Sequence, residues 1–233
     1  GVRTEDMETI QMKVIARIHS DFPTKFGIPR QSGIVPVVST IVFEPEYRVD
    51  EALRGIEGYS HLWLIWEFSQ AVREDWSPTV RPPRLGGNTR MGVFATRSPF
   101  RPNPIGLSSV RLVGMEKTEE GTVLLVEGAD LCDGTPILDI KPYLPFTDSH
   151  PDAVGGFSDP VREKELRVEI SPELLEKVPE NKRDALQKVL AHDPRPSYQH
   201  DPERVYGMAF AGMEVKFRVD GDLLTVAAVE STD

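Results

Sequence analysis

The chain has 233 residues, 39% of them apolar, and 27 Lys and Arg against 37 Asp and Glu, a formal net charge of −10. That length allows one large domain, or a main domain with a small partner, each with a real core. No run approaches the roughly 18 apolar residues of a membrane span, no basic-then-apolar segment opens the chain, and a single cysteine, Cys132, cannot form an internal disulfide. The expectation is a cytoplasmic protein that does not enter a membrane.

In chain order, segments 13–20, 37–45 and 61–69 are short, β-branched or aromatic and bounded by Gly, Pro or charged turns, which predicts strands. The same holds for 91–98, 106–116 and 122–131. Between them only "VDEALRGIEGY" (49–59) has helical spacing. Strands so outnumber helices that an antiparallel β-barrel or closed sheet is expected rather than a βαβ alternation. Neither G-x-G-x-x-G after a strand nor G-x-x-x-x-G-K occurs, which argues against a Rossmann or P-loop nucleotide site.

The stretch "TDSHPDAVGGFSDP" (147–160) reads as a linker. Beyond it, "ELRVEIS" predicts a strand, Ser171-Pro172 a helix start and Pro179 a break, and a second helix carries Leu186, Val189 and Leu190 on one face. "MEVKFRVDGDLLTVAAVE" alternates about Asp220-Gly221 and predicts a hairpin. The expected fold is mainly β: a barrel domain over residues 1–150 and a small α+β domain over 160–233.

Acidic chains do not ordinarily bind nucleic acid, but here the charges are unevenly spread. From Trp76 to Met115 there is no Asp or Glu, yet Arg81, Arg84, Arg90, Arg97, Arg101 and Arg111 fall in that stretch, which has no lysine. Without these six, 21 basic residues face 37 acidic ones, a balance of −16 for the rest of the chain. Arginine offers a planar fork to a carboxylate or phosphate, so the stretch is expected to gather at one anion site. Stiff Pro-Asn-Pro (102–104) and the Pro82-Pro83 and Gly86-Gly87 pairs suit loops that let a ligand approach the backbone.

"FGIPRQSG" (26–33) and "DGTPILDIKPYLPF" (133–146) are further loop candidates, the latter placing Asp133, Asp139 and Lys141 among turn residues. The five histidines lack metal-ligand spacing, so no metal is expected. Ser108-Ser109 lack a nucleophile elbow.

Taken in order, "IPRQSG", "GYSHLWLIWEFS", "RPPRLGGNTRMGVFATRSPFRPNPIGLSSVRL", "DGTPILDIKPYLPF" and the late "AHDPRPSYQ" closely resemble the TrmO, or YaeB-like, family over most of residues 13–217. The resemblance implies an S-adenosylmethionine-dependent enzyme with a small antiparallel β-barrel. It would act as a homodimer and methylate N6 of threonylcarbamoyladenosine at position 37, beside the anticodon of threonine tRNA.

It further implies a donor site made of Pro29, Arg30, Gln31, Ser69, Gln70, Arg90, Asp133, Gly134, Thr135 and Pro136. Arg84, Arg97, Arg101, Asn103 and Lys141 are assigned to the tRNA substrate or to loop scaffolding. No catalytic base is identified, and Asp133, Asp139 and Gln70 are the candidates. A His commonly precedes that glutamine in the family, where this chain has Ser69, which weakens any imidazole base there. The C-terminal part is expected to steer the tRNA stem. Two other readings stay open: a non-catalytic sensor of the donor or another adenine-containing ligand, and, more distantly, a nucleotide hydrolase.

Overall fold

The computed structural model describes residues 7–24, 26–28, 37–68, 76–82, 85, 88–158, 165–195 and 200–232. Its first unit is built from β1 (Ala16–His19), β2 (Val38–Phe43), β3 (His61–Glu67), β6 (Ile105–Thr118), β7 (Gly121–Glu127) and β8 (Thr135–Pro142). All six pair antiparallel in the order β1-β2-β7-β6-β3-β8, and β8 pairs back on β1, so the sheet closes on itself. Closure leaves no strand edge among the six.

Alternation dictates which side chains fill the ring. Ile18, Ile41, Leu62, Leu64, Trp66, Val110, Leu124, Val126 and Ile137 point inward and are buried. Between β3 and β6 lies a short ribbon of β4 (Thr79–Val80) and β5 (Met91–Gly92), and a one-turn α1 (Pro145–Asp148) follows β8.

Three sequence expectations are corrected. Residues 49–59 are not an α-helix but two 3₁₀ turns, Asp50–Leu53 and Ile56–Gly58, because Gly55 takes φ +91 and breaks the run; Leu53 and Ile56 still pack on the core. The strand expected over 91–98 ends after Gly92 and gives way to a 3₁₀ turn over Val93–Ala95. The segment 133–146, read as turns, supplies β8, with Asp139 and Lys141 on that strand.

The second unit is a four-stranded sheet in the order β10 (Tyr206–Phe210), β11 (Met213–Asp220), β12 (Leu223–Ser231) and β9 (Arg167–Glu169), β9 running parallel to β12. Ser171 caps α2 (Pro172–Glu176), its side chain accepting the Leu174 N–H. α3 (Glu180–Ala191) buries the expected Leu186, Val189 and Leu190. This core also takes in Phe22 and Val37, which belong to the connection between β1 and β2.

Candidate functional site

Antiparallel register decides where the loops go. Ile18 faces Thr135 and Ile41, Trp66 faces Ile137 and Gly106, and Val38 faces Glu127. The ends of β1, β3 and β7 and the starts of β2, β6 and β8 therefore share one end of the ring. Loop 96–104 and residues 128–134 lie at that end. The opposite end carries residues 44–58 and 116–120, which hold eight carboxylates against Arg48, Arg54 and Lys117. Loop 96–104, within the acid-free stretch, and the most acidic loops are thus held at opposite ends of the strands.

At the first end, Cys132 to Thr135 form a turn: the Thr135 N–H and hydroxyl both donate to the Cys132 carbonyl, at 3.2 and 2.7 Å. Gly134 takes φ +83, the left-handed value a type II turn needs at its third residue. An added Cβ on Gly134 would meet nothing within 4 Å, so the backbone is open to an approaching group.

The turn is bound to β1 and the residues after it. Gly134 N–H donates to Ile18 at 2.8 Å, Asp133 N–H to Phe22 at 2.8 Å, and Arg17 reaches the Gly134 carbonyl at 3.0 Å. Asp133 Oδ1 accepts the Ser20 N–H at 3.1 Å and lies 3.2 Å from His19 Nδ1. Both of these contacts fall on Oδ1, and among the described residues Oδ2 has no hydrogen-bond partner.

Asp130 and His19 join the candidate site through contacts that sequence reading missed. Trp66 Nε1 donates to Ser108 Oγ at 3.1 Å, and Ser108 donates onward to Asp130 Oδ1 at 3.0 Å. Burial pushes the Asp130 carboxyl above its ordinary value, opposed by the Ser108 hydrogen bond, its own backbone N–H and the charge of Arg97. A raised folded-state pKa means that this group's stabilisation is complete below about pH 3.9 and is lost as pH rises through the folded-state value. Asp130→Asn is therefore expected to be more stable than the natural chain at pH 8, with the gap closing toward pH 4. Melting curves across that range test it.

The arginines do not all gather. Arg90 donates to Thr79 Oγ1 at 3.0 Å across the β4–β5 ribbon. Arg101 turns inward, one guanidinium nitrogen donating to the carbonyls of Thr96 at 2.8 Å and Ser98 at 3.2 Å, and so stiffens its own loop. Arg97 is exposed, within the electrostatic reach of Asp130. Arg111 lies six residues into β6, in register with Glu127 at the end of β7, and pairs with that carboxylate at 3.5 Å. It is held on the strand by this pair and is not part of loop 96–104.

In the segment between β3 and β6, Trp76 and Phe94, 51% and 73% exposed, stack on each other at 6.1 Å. Exposed rings suit the faces of unstacked bases. Their only signal in the sequence is that the acid-free stretch opens at Trp76.

Thr135 and Pro136 are buried at the start of β8, and Asn103 is exposed in the loop before β6. Asp139 accepts the Ile140 N–H at 2.9 Å and lies 3.6 Å from Lys141 Nζ, one residue past a register shift opposite Ile65 and Trp66. Pro29, Arg30, Gln31, Ser69, Gln70 and Arg84 lie outside the described residues. Among the described residues no group of His, Cys, Asp and Glu could hold a metal ion, and no helix is long and apolar enough to cross a membrane.

Comparison with known proteins gives two family matches, to the tRNA-methyltransferase O N-terminal domain over residues 17–149 and to the TrmO C-terminal domain over residues 163–232. The tRNA (adenine(37)-N6)-methyltransferase of Escherichia coli is 41% identical over 233 residues, covering 96% of this chain and 99% of that protein. The protein of the same name from Eikenella corrodens is 48% identical over 176 residues, 75% of this chain and 99% of that one. The crystal structure of TrmO from Pseudomonas aeruginosa superposes with a TM-score of 0.78 at 35% identity, covering 97% of this chain and 99% of that one.

Proposed function

Starting from the TrmO family, to which this chain belongs, we propose that it is an S-adenosylmethionine-dependent methyltransferase acting on N6 of the adenine at position 37 of tRNA. In the finer form of this reading the target is threonylcarbamoyladenosine in threonine tRNA. The enzyme works in the cytoplasm as a homodimer, with its six-stranded ring serving as a small β-barrel. The observation that carries the proposal is the sorting of loops by the ring: loop 96–104 with Arg97 and Arg101 beside the Asp133 turn at one end, and the carboxylate-rich 44–58 and 116–120 at the other. An anticodon loop presents splayed bases flanked by phosphates, and it would be drawn to the first end and repelled from the second.

The residues fit the donor's chemistry. Its carboxylate suits Arg97 or Arg90, its hydroxyls and ammonium suit Asp133 Oδ2, and the open face of Gly134 leaves room for close approach. Bound there, the donor supplies a methyl group on a good leaving group. The protein's share is then chiefly alignment, which can supply much of the acceleration. Asp133, Asp139, Gln70 or a backbone carbonyl would accept the proton leaving N6. Exposed Ile105 and Leu107 on the outer face of β6, 40% and 48% accessible, support contact between two copies at the same end.

The test is to incubate the purified protein with methyl-labelled donor and tRNA that contains or lacks the threonylcarbamoyl modification. Transfer to the modified tRNA alone is the expected result. Donor binding without transfer to any tRNA would favour the sensor reading.

A further inference from the structure

The C-terminal unit sits far along the sequence from the Asp133 turn, yet its core reaches that turn through two residues. Phe22 and Val37 are 0% and 3% exposed inside the C-terminal core, Phe22 meeting Phe210 edge-on at 5.5 Å. Their carbonyls are the acceptors that hold the ends of loop 128–134: Val37 takes the Gly128 N–H at 3.1 Å and Phe22 takes the Asp133 N–H at 2.8 Å. Between them, Ser20 Oγ donates to the Leu131 carbonyl at 2.7 Å.

The segment carrying these acceptors is pinned from the C-terminal side three more times. Lys182 on α3 pairs with Asp21 at 2.5 Å, with both side chains largely buried. The Ala211 N–H donates to the Asp21 carbonyl at 3.0 Å. Gly27 takes φ +88 against Met208, where a Cβ would lie 2.4 Å from the sulfur.

We infer that the C-terminal unit is a positioning element for the methyl-donor site. Through Asp21, Phe22 and Val37 it sets the loop that presents Asp130 and Asp133, so donor affinity depends on side chains of α3 and β10 that touch neither donor nor tRNA. The inference rests on the proposed methyltransferase reading. It assigns the unit a task besides steering the tRNA stem, and the two are separable, because loop placement acts on donor affinity and stem contacts act on tRNA affinity.

The experiment measures binding of S-adenosylhomocysteine by calorimetry, together with donor KM, kcat and tRNA affinity, for the full chain and for Lys182→Gln, Gly27→Ala and Lys188→Gln. Lys188 pairs with Asp184 on the exposed side of the same helix and serves as the control. Lys182→Gln and Gly27→Ala are expected to weaken donor binding and raise donor KM about tenfold, while kcat at saturating donor and tRNA affinity hold and Lys188→Gln behaves as the natural chain. Combining Lys182→Gln with Asp133→Ala should cost less than the two losses multiplied together, since both act through one turn.

Unchanged donor affinity in a folded Lys182→Gln protein overturns the inference. Should Gly27→Ala fail to fold, Lys182→Gln alone decides. If the natural chain itself binds no S-adenosylhomocysteine, it is the methyltransferase reading that fails.

Discussion

Gly106→Ala should destabilise the six-stranded unit by roughly 3 kcal/mol, at the upper end of what overpacking a core costs. Gly106 faces Trp66 across β3 and β6, and a Cβ there would stand 2.2 Å from Trp66 Cε2 and 2.3 Å from Cζ2. The indole has little freedom to retreat. It is 7% exposed, its ring lies 4.1 Å from that of Phe68, and its N–H is committed to Ser108.

Trp66→Phe in the same chain makes room but removes that donor, so the double variant should be more stable than Gly106→Ala alone and less stable than the natural protein. Trp63, Trp66 and Trp76 are the only tryptophans, and all lie in the N-terminal half. Fluorescence-detected denaturation therefore reports this unit rather than the C-terminal one. A Gly106→Ala chain as stable as the natural one would show that the indole is not held as described.

How far this arrangement can be read from sequence depends on the range over which each contact acts. The β11–β12 hairpin and the buried face of α3 are local: alternation around Asp220-Gly221 and the i, i+3, i+4 spacing of Leu186, Val189 and Leu190 fix them. β8 is hidden because Asp-Gly-Thr-Pro is good turn sequence and Pro136 argues against a strand. Yet only the first part of the motif turns, and Pro136 enters the ladder opposite Arg17. Helical spacing over 49–59 fails on a single residue, Gly55.

The site divides in the same way. Asp133 and Gly134 stand out as a turn, whereas His19 meets Asp133 across 114 residues and Ser108 meets Asp130 across 22. Periodicity carries no trace of such meetings, which the register of the ring creates. The arginine-rich stretch is legible as charge but not as geometry: nothing in its composition distinguishes Arg97, exposed at the loop, from Arg101, turned onto its own carbonyls, or Arg111, paired on a strand.

Asp133→Ala is expected to lower kcat/KM for the donor on the order of 100-fold, the scale on which about 1 Å of misplacement costs an aligned reaction. Two losses combine. The donor loses Asp133 Oδ2, and the turn loses the acceptor for the Ser20 N–H. Asp133→Asn keeps a carbonyl oxygen for Ser20 while removing the charge, so it should cost about 10-fold, with tRNA affinity unchanged in both.

His19→Ala removes only the ring beside Oδ1. Both side chains of that pair are about half exposed, and such pairs contribute at most about 1 kcal/mol, or roughly fivefold. Melting temperatures should stay close to that of the natural chain in all three, because the carboxylate is solvated and no core contact is lost. The order Ala, then Asn, then the His19 variant thus separates placement from charge. A His19→Ala loss larger than that of Asp133→Ala would move the reacting role to the imidazole and leave Asp133 as its support.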